Sequence, residues 1–159
     1  MILSANEIEA ASLGDVVVAR CRGESLSESQ IEKANAADVL ALAAAADVVR
    51  RADCGDEVRV FRLAPGDAVI VDAGGRAGTA LLRHVALTRL LAPAKSRVVV
   101  DVGRFGPLAQ IALSFGASDL LWAQPKSLPT HDAPDPRATL EGEIRRTKRT
   151  PLFVDRADP

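Results

Sequence analysis

Apolar and polar positions change period near the middle of the chain. The first half is patterned for helices. In SESQIEKANAADVLALAAAADVVRRA, Ile31, Leu40, Leu42, Val48 and Val49 supply an apolar stripe on an alanine-rich background. Ser27, with Gln30 three residues later, has the form of a capping box. Asp38 is placed to cap a second helix, because NAAD interrupts what would otherwise be one long element. That helix is expected to stop in DCGD, residues 53–56, with Gly55 in the left-handed conformation past its end. Ahead of it, DVVVARCRG reads either as a short strand or as a further helical turn, and the pattern does not decide between them.

From Glu57 the period shortens. EVRVFRL alternates apolar and polar residues, as a half-exposed strand does. After a PGD turn, AVIVDAG is the continuous apolar run of a buried strand. GGRAG then leads into the helix TALLRHVALTRLLA, which Pro93 ends. RVVVDVG is the next strand, GPLAQIALSFGA the next helix and DLLWAQ a further short strand. Residues 125–136, PKSLPTHDAPDP, carry four prolines and are expected to form a loop. ATLEGEIRRTKR follows as a last helix, and PLFVDR as a last strand or extended tail. Strands alternating with helices at this spacing imply right-handed βαβ units and a parallel sheet. The fold class is therefore α/β, in one domain: a mainly helical lead-in over 1–55, a βαβαβ core over 56–124, the loop, and a helix and strand over 137–159.

Composition narrows the function classes. Of 159 residues 48% are apolar, enough for a packed core rather than a disordered chain. With no Tyr, one Trp and four Phe, the chain has no set of rings for stacking bases. Its 20 basic and 21 acidic residues leave a net charge of −1, without the positive surplus that a general nucleic-acid binder needs. The one basic run, RRTKR at residues 145–149, reads as a solvated helix face. Cys21 and Cys54 lie too far apart for a paired metal motif, and two isolated thiols fit a cytoplasmic protein. No apolar stretch reaches the roughly 18 residues of a membrane span, and the acidic start MILSANEIEAASLGD lacks the basic region of a signal peptide.

Candidate chemistry gathers at two strand ends. A dinucleotide-binding turn would place its glycines at Asp101, Gly103 and Gly106, but the first has become an aspartate and the acidic ribose ligand is missing. The turn DAGGRAG, residues 72–78, offers backbone amides at a helix start, with Arg76 beside them, for an anion; the alternative is a plain strand-to-helix connection. Asp72 and Asp101 both close parallel strands at their C-terminal ends. There they are available for acid–base work or a hydrated cation, or equally to cap the helices that follow. Neither His84 nor His131 has the neighbours of a catalytic triad, and no metal site is expected.

The run GPLAQIALSFGASDL, preceded by LRHVALTRLLAPAKSRVVVD and followed later by TLEGEIRRTKRTPLFVDR, resembles the C-terminal part of the radical S-adenosylmethionine enzymes of the futalosine route to menaquinone. These are the aminofutalosine synthases and dehypoxanthine futalosine cyclases. GESLSESQIEKANAADVLALAAAADVVRRADCGDEVRVF is similar to their leading helices. The resemblance implies a segment of a (β/α) barrel, in which Gly116 stops a helix and Ala109 and Ala112 allow close helix–sheet packing. The family's cluster motif, C-x-x-x-C-x-x-C, is absent after Phe61, and the chain is shorter than the roughly 200–250 residues of a complete barrel.

Two functions are consistent with these features. One is a non-catalytic accessory or interaction protein, pairing with itself as a homo-oligomer or with an intact radical enzyme, and without a cofactor of its own. The other is a binding protein or enzyme for a small anionic ligand, held by Asp72, Gly74, Gly75, Arg76, Asp101 and Arg104.

Overall fold

The computed structural model describes residues 13–123 and 135–154. Three helices lead in: α1 (Gly14–Cys21), α2 (Glu28–Ala36) and α3 (Val39–Cys54). After them come β1 (Glu57–Phe61), β2 (Val69–Ile70), α4 (Gly78–Leu91), β3 (Val98–Asp101), α5 (Val102–Phe105), α6 (Leu108–Leu113), β4 (Asp119–Leu121), α7 (Pro136–Arg146) and β5 (Thr150–Val154). The five strands form one parallel sheet in the order β2-β3-β4-β1-β5, so the chain is α/β as expected. Residues 124–134 of the proline-rich stretch, with His131, lie outside the described residues.

Local signals set the helix boundaries. The Ser27 hydroxyl accepts from Gln30 N, and the Gln30 side chain accepts from Ser27 N, which closes the capping box. Asp38 caps α3 through Leu40 N at 2.8 Å, and Gly55 ends that helix with φ +66°. The ambiguous DVVVARC segment is helical. Val16 and Ala19 turn into the core, while buried Arg20 donates to Ala92 O at 2.6 Å and so ties α1 to the end of α4. Those contacts outweigh the strand preference of three consecutive valines. The expected helix GPLAQIALSFGA is shorter, Leu108–Leu113, and an unexpected short helix, α5, precedes it, ended by Gly106 at φ +53° before Pro107 leads into α6.

The register divides the sheet into two faces. Phe153, Val60, Leu120 and Val100 lie side by side on one face; Val154, Phe61, Leu121 and Asp101 form the next row, on the other. The hydrophobic core joins α1, α2, α3, α4, α6 and α7 to Val58, Val60, Val98, Val100 and Leu120, all from the first face. Among the described residues, one layer of helices therefore packs on one side. The steps from β2 to β3, β4 and β5 all move the same way across the sheet, and right-handed crossovers put their helices on a common face.

β1 breaks this progression, since it sits between β4 and β5. From its end the chain returns to the far edge strand β2 through residues 62–68 alone. Phe61 is level with Asp101, whereas Val69 is level with Val98. The link therefore spans about 17 Å, from three strand spacings of ~4.8 Å and a drop of three residues of ~3.3 Å. Eight extended peptide steps reach roughly 27 Å, so no helix is needed.

Candidate functional site

The structure brings the six strand-end residues together. Asp72 follows β2 and accepts from Gly74 N at 3.1 Å, while Asp101 ends β3 and accepts from Gly103 N at 2.8 Å. Asp101 is thus the cap of α5; Asp72 caps only its own turn, and α4 begins without a side-chain cap. Gly74, at φ +52°, lies beneath the guanidinium of Arg76, which a β-carbon would strike. Arg104 stands between the two carboxylates, 3.9 Å from Asp72 and 3.6 Å from Asp101. His84 is close enough that burial and then Arg76 lower its pKa, against a smaller opposing effect of Asp72. Two carboxylates balance two guanidinium groups here. Arg104 and Asp72 are 68% and 80% exposed, so water screens both pairs. An anion gains little from such a neutral cluster.

A second cluster lies at the opposite, N-terminal ends of the strands. The last turns of α3, the turn after α6 and the turn between α7 and β5 enclose a cleft of about 480 Å³. Asp47 is its hub. Its Oδ1 accepts from Arg50 Nε at 2.8 Å and from Arg149 Nη2 at 2.6 Å, and its Oδ2 accepts from Arg51 Nη2 at 3.2 Å. Arg50 and Arg149 are 1% and 7% exposed. Arg50 also donates to Gly55 O and reaches Asp56, and Arg149 donates to Ala117 O at 3.2 Å.

The cleft holds a surplus of positive charge. Besides those three arginines, Arg146 and Lys148 line it, against two carboxylates, Asp47 and Asp56, among the described residues. That is five cations to two anions, a surplus of three in a chain whose net charge is −1. Burial, and then the charge of Arg50, bring the Arg149 pKa down to about 10, which Asp47 only partly offsets. Among the described residues, Arg146 and Lys148 form no ion pair. Lys148 also takes a left-handed φ of +61°, a conformation that L-residues seldom adopt away from functional or tightly constrained turns.

The expectation of a solvated face for residues 145–149 holds for Arg145, which pairs with Glu141, but not for buried Arg149. Spacing gave half of the clue, since Asp47, Arg50 and Arg51 fall on one helical face at i, i+3 and i+4. Among the described residues, no three His, Cys, Asp or Glu side chains gather as a metal site, and no helix is long and apolar enough to cross a membrane.

Comparison with protein-family models, with characterised proteins and with solved structures finds no match. The likeness to the radical enzymes therefore rests on the residues quoted for it.

Proposed function

We propose that this chain is a binding domain for a small anionic ligand, seated in the cleft between α3 and the α7–β5 turn. The observation that carries the reading is the surplus of charge: among the described residues five cations face two carboxylates around a concave space, two of the arginines are buried, and the two rim cations form no ion pair. Clefts of roughly 300–1,000 Å³ are the usual size for small-molecule sites. A bound anion would complete the charge balance that Asp47 and Asp56 leave unfinished. At a concentration of 100 Kd it would stabilise the fold by about 2.7 kcal/mol, or roughly 5–10 °C in Tm.

Thermal unfolding in a panel of inorganic anions, at 150 mM sodium chloride to screen unspecific pairing, tests this. The wild-type chain is expected to gain several degrees with phosphoryl anions. With pyrophosphate the exposed double variant Arg146→Gln/Lys148→Gln is expected to gain little, and Arg104→Gln to behave as wild type. Equal gains in all three proteins would contradict the assignment.

The other face of the sheet, on which no helix packs among the described residues, favours a second reading, association with another copy of the chain. Ile70 and Leu152, 51% and 44% exposed, point to that side from the two edge strands, and its charges pair internally as Glu57–Arg59 and Asp119–Arg97. Two such faces meet without net repulsion, which suits a two-fold interface. Light scattering across a concentration series is expected to give a dimer that Ile70→Lys/Leu152→Lys converts to a monomer. A wild-type monomer at every concentration would dismiss this reading.

A further inference from the structure

We infer that the ligand of the cleft is a compact polyphosphate with at least two phosphoryl groups and no apolar body, of the pyrophosphate or sugar-bisphosphate class. The inference rests on the anion-binding reading above and sharpens it. Three properties of the cleft point the same way.

The first is charge. A phosphoryl group carries about −1.5 to −2 at neutral pH, so two of them match the surplus of three and one does not.

The second is the wall. Among the described residues the lining is wholly polar or charged, the uncharged members being Ser114 and Thr147. Ligand sites normally bury an apolar body against hydrophobic and aromatic side chains. A nucleobase or acyl chain would find no such surface here, so the recognised groups are the charged ones. The guanidinium of Arg146, which forms no ion pair among the described residues, suits oxyanions with parallel oxygens, which it can bind through two N–H groups at once.

The third is the arrangement of the cations in two tiers. Arg50 and Arg149 are buried and fixed by Asp47 and by the carbonyls of Gly55 and Ala117, so they form a preorganised floor. Arg146 and Lys148 are exposed and flank Thr147 on the turn that opens the cleft. One phosphoryl group against the floor leaves the rim cations for a second. Asp47 touches no ligand in this arrangement; it is a positioning residue that holds three arginines in register.

Isothermal titration of the full chain with orthophosphate, pyrophosphate and citrate, without divalent cations and at 150 mM salt, tests the inference. Citrate supplies comparable charge on carboxylates instead of phosphoryl groups. Pyrophosphate is expected to bind at least tenfold more tightly than either of the others. Arg146→Gln/Lys148→Gln is expected to lose at least tenfold in pyrophosphate affinity and less than threefold in orthophosphate affinity, because only the second phosphoryl group reaches the rim. An unchanged melting temperature without ligand shows that this surface variant is folded. Equal affinities for orthophosphate and pyrophosphate would overturn the two-group inference while leaving anion binding intact. Citrate binding as tightly as pyrophosphate would overturn the phosphoryl class. No heat with any of the three would remove the anion-binding reading itself.

Discussion

Asp47→Asn is expected to lower the stability of the ligand-free protein by about 3 kcal/mol, a fall of roughly 6–12 °C in Tm. The substitution preserves the shape of the side chain and removes only its charge. Arg50 and Arg149, whose side chains are 1% and 5% exposed, then share a buried site without the carboxylate oxygen that both now use. Removing one partner of a buried pair leaves the other charge desolvated and unpaired, which costs more than the pair contributes net. Arg51 adds little to the loss, because it is half exposed and can turn to water. The same variant discriminates between a structural and a ligand-binding role for the cluster. If the cleft binds polyphosphate, saturating pyrophosphate recovers part of the lost stability, since the ligand supplies negative charge beside the same guanidinium groups. A deficit that stays constant in pyrophosphate would mean that the arginines serve only the fold. Chemical denaturation with and without the ligand measures both quantities.

Gly116→Ala should have a comparable effect for a different reason, a loss of about 3 kcal/mol in chain stability. Gly116 has φ +95°, and a β-carbon built there falls 2.8 Å from Ala46 Cβ and 2.9 Å from Arg89 Cβ. Both obstacles are the roots of side chains on α3 and α4, so neither can swing aside. Left-handed backbone strain of about 1–2 kcal/mol adds to the overpacking. The displacement also reaches the carbonyl of Gly116, which accepts from Arg89 Nε at 2.8 Å. Arg89 is fully buried, and its other bonds run to Ser96 O at 2.7 Å and towards Asp53 at 3.5 Å. Urea unfolding of the variant reads the loss directly. A change below 0.5 kcal/mol would show that α3 and α4 part more easily than this packing implies. The resemblance in sequence implied a helix stop at Gly116; the structure adds that two helices, α3 and α4, close on it.

Features set by neighbouring residues were legible in the sequence, and features set by distant ones were not. The breaks at Asp38 and Gly55 could be read because a capping carboxylate and a left-handed glycine act within a turn. The strand-end cluster was legible because Asp101 ends β3, Asp72 follows β2 closely, and each closes its own turn. The identity of α1 could not be read, because its hydrogen bond to Ala92 spans 72 positions. The place of β1 between β4 and β5 was equally hidden, as it depends on pairings that no local pattern encodes. The basic cleft was the hardest to anticipate. The Arg149–Asp47 bond joins residues 102 positions apart, and a basic run beside a helix gives no sign that one of its members is buried.

The two clusters occupy opposite ends of the strands and contrast in electrostatics. At the C-terminal ends, Arg104 is divided between two aspartates; at the N-terminal ends, Asp47 is divided among three arginines. Only the second arrangement leaves positive charge unanswered. Placing the ligand at the N-terminal ends departs from the habit of open α/β sheets, which bind ligands outside the carboxyl ends of their strands.

The most direct test of that placement is a backbone-amide NMR titration of the full chain with pyrophosphate. The account predicts that the resonances that move belong to Asp47, Arg50, Ser114, Thr147 and Lys148, saturating together, while Gly74, Gly75 and Gly103 stay where they are. Shifts confined to Gly74, Arg76, Gly103 and Arg104 would contradict it and return the site to the C-terminal ends of β2 and β3.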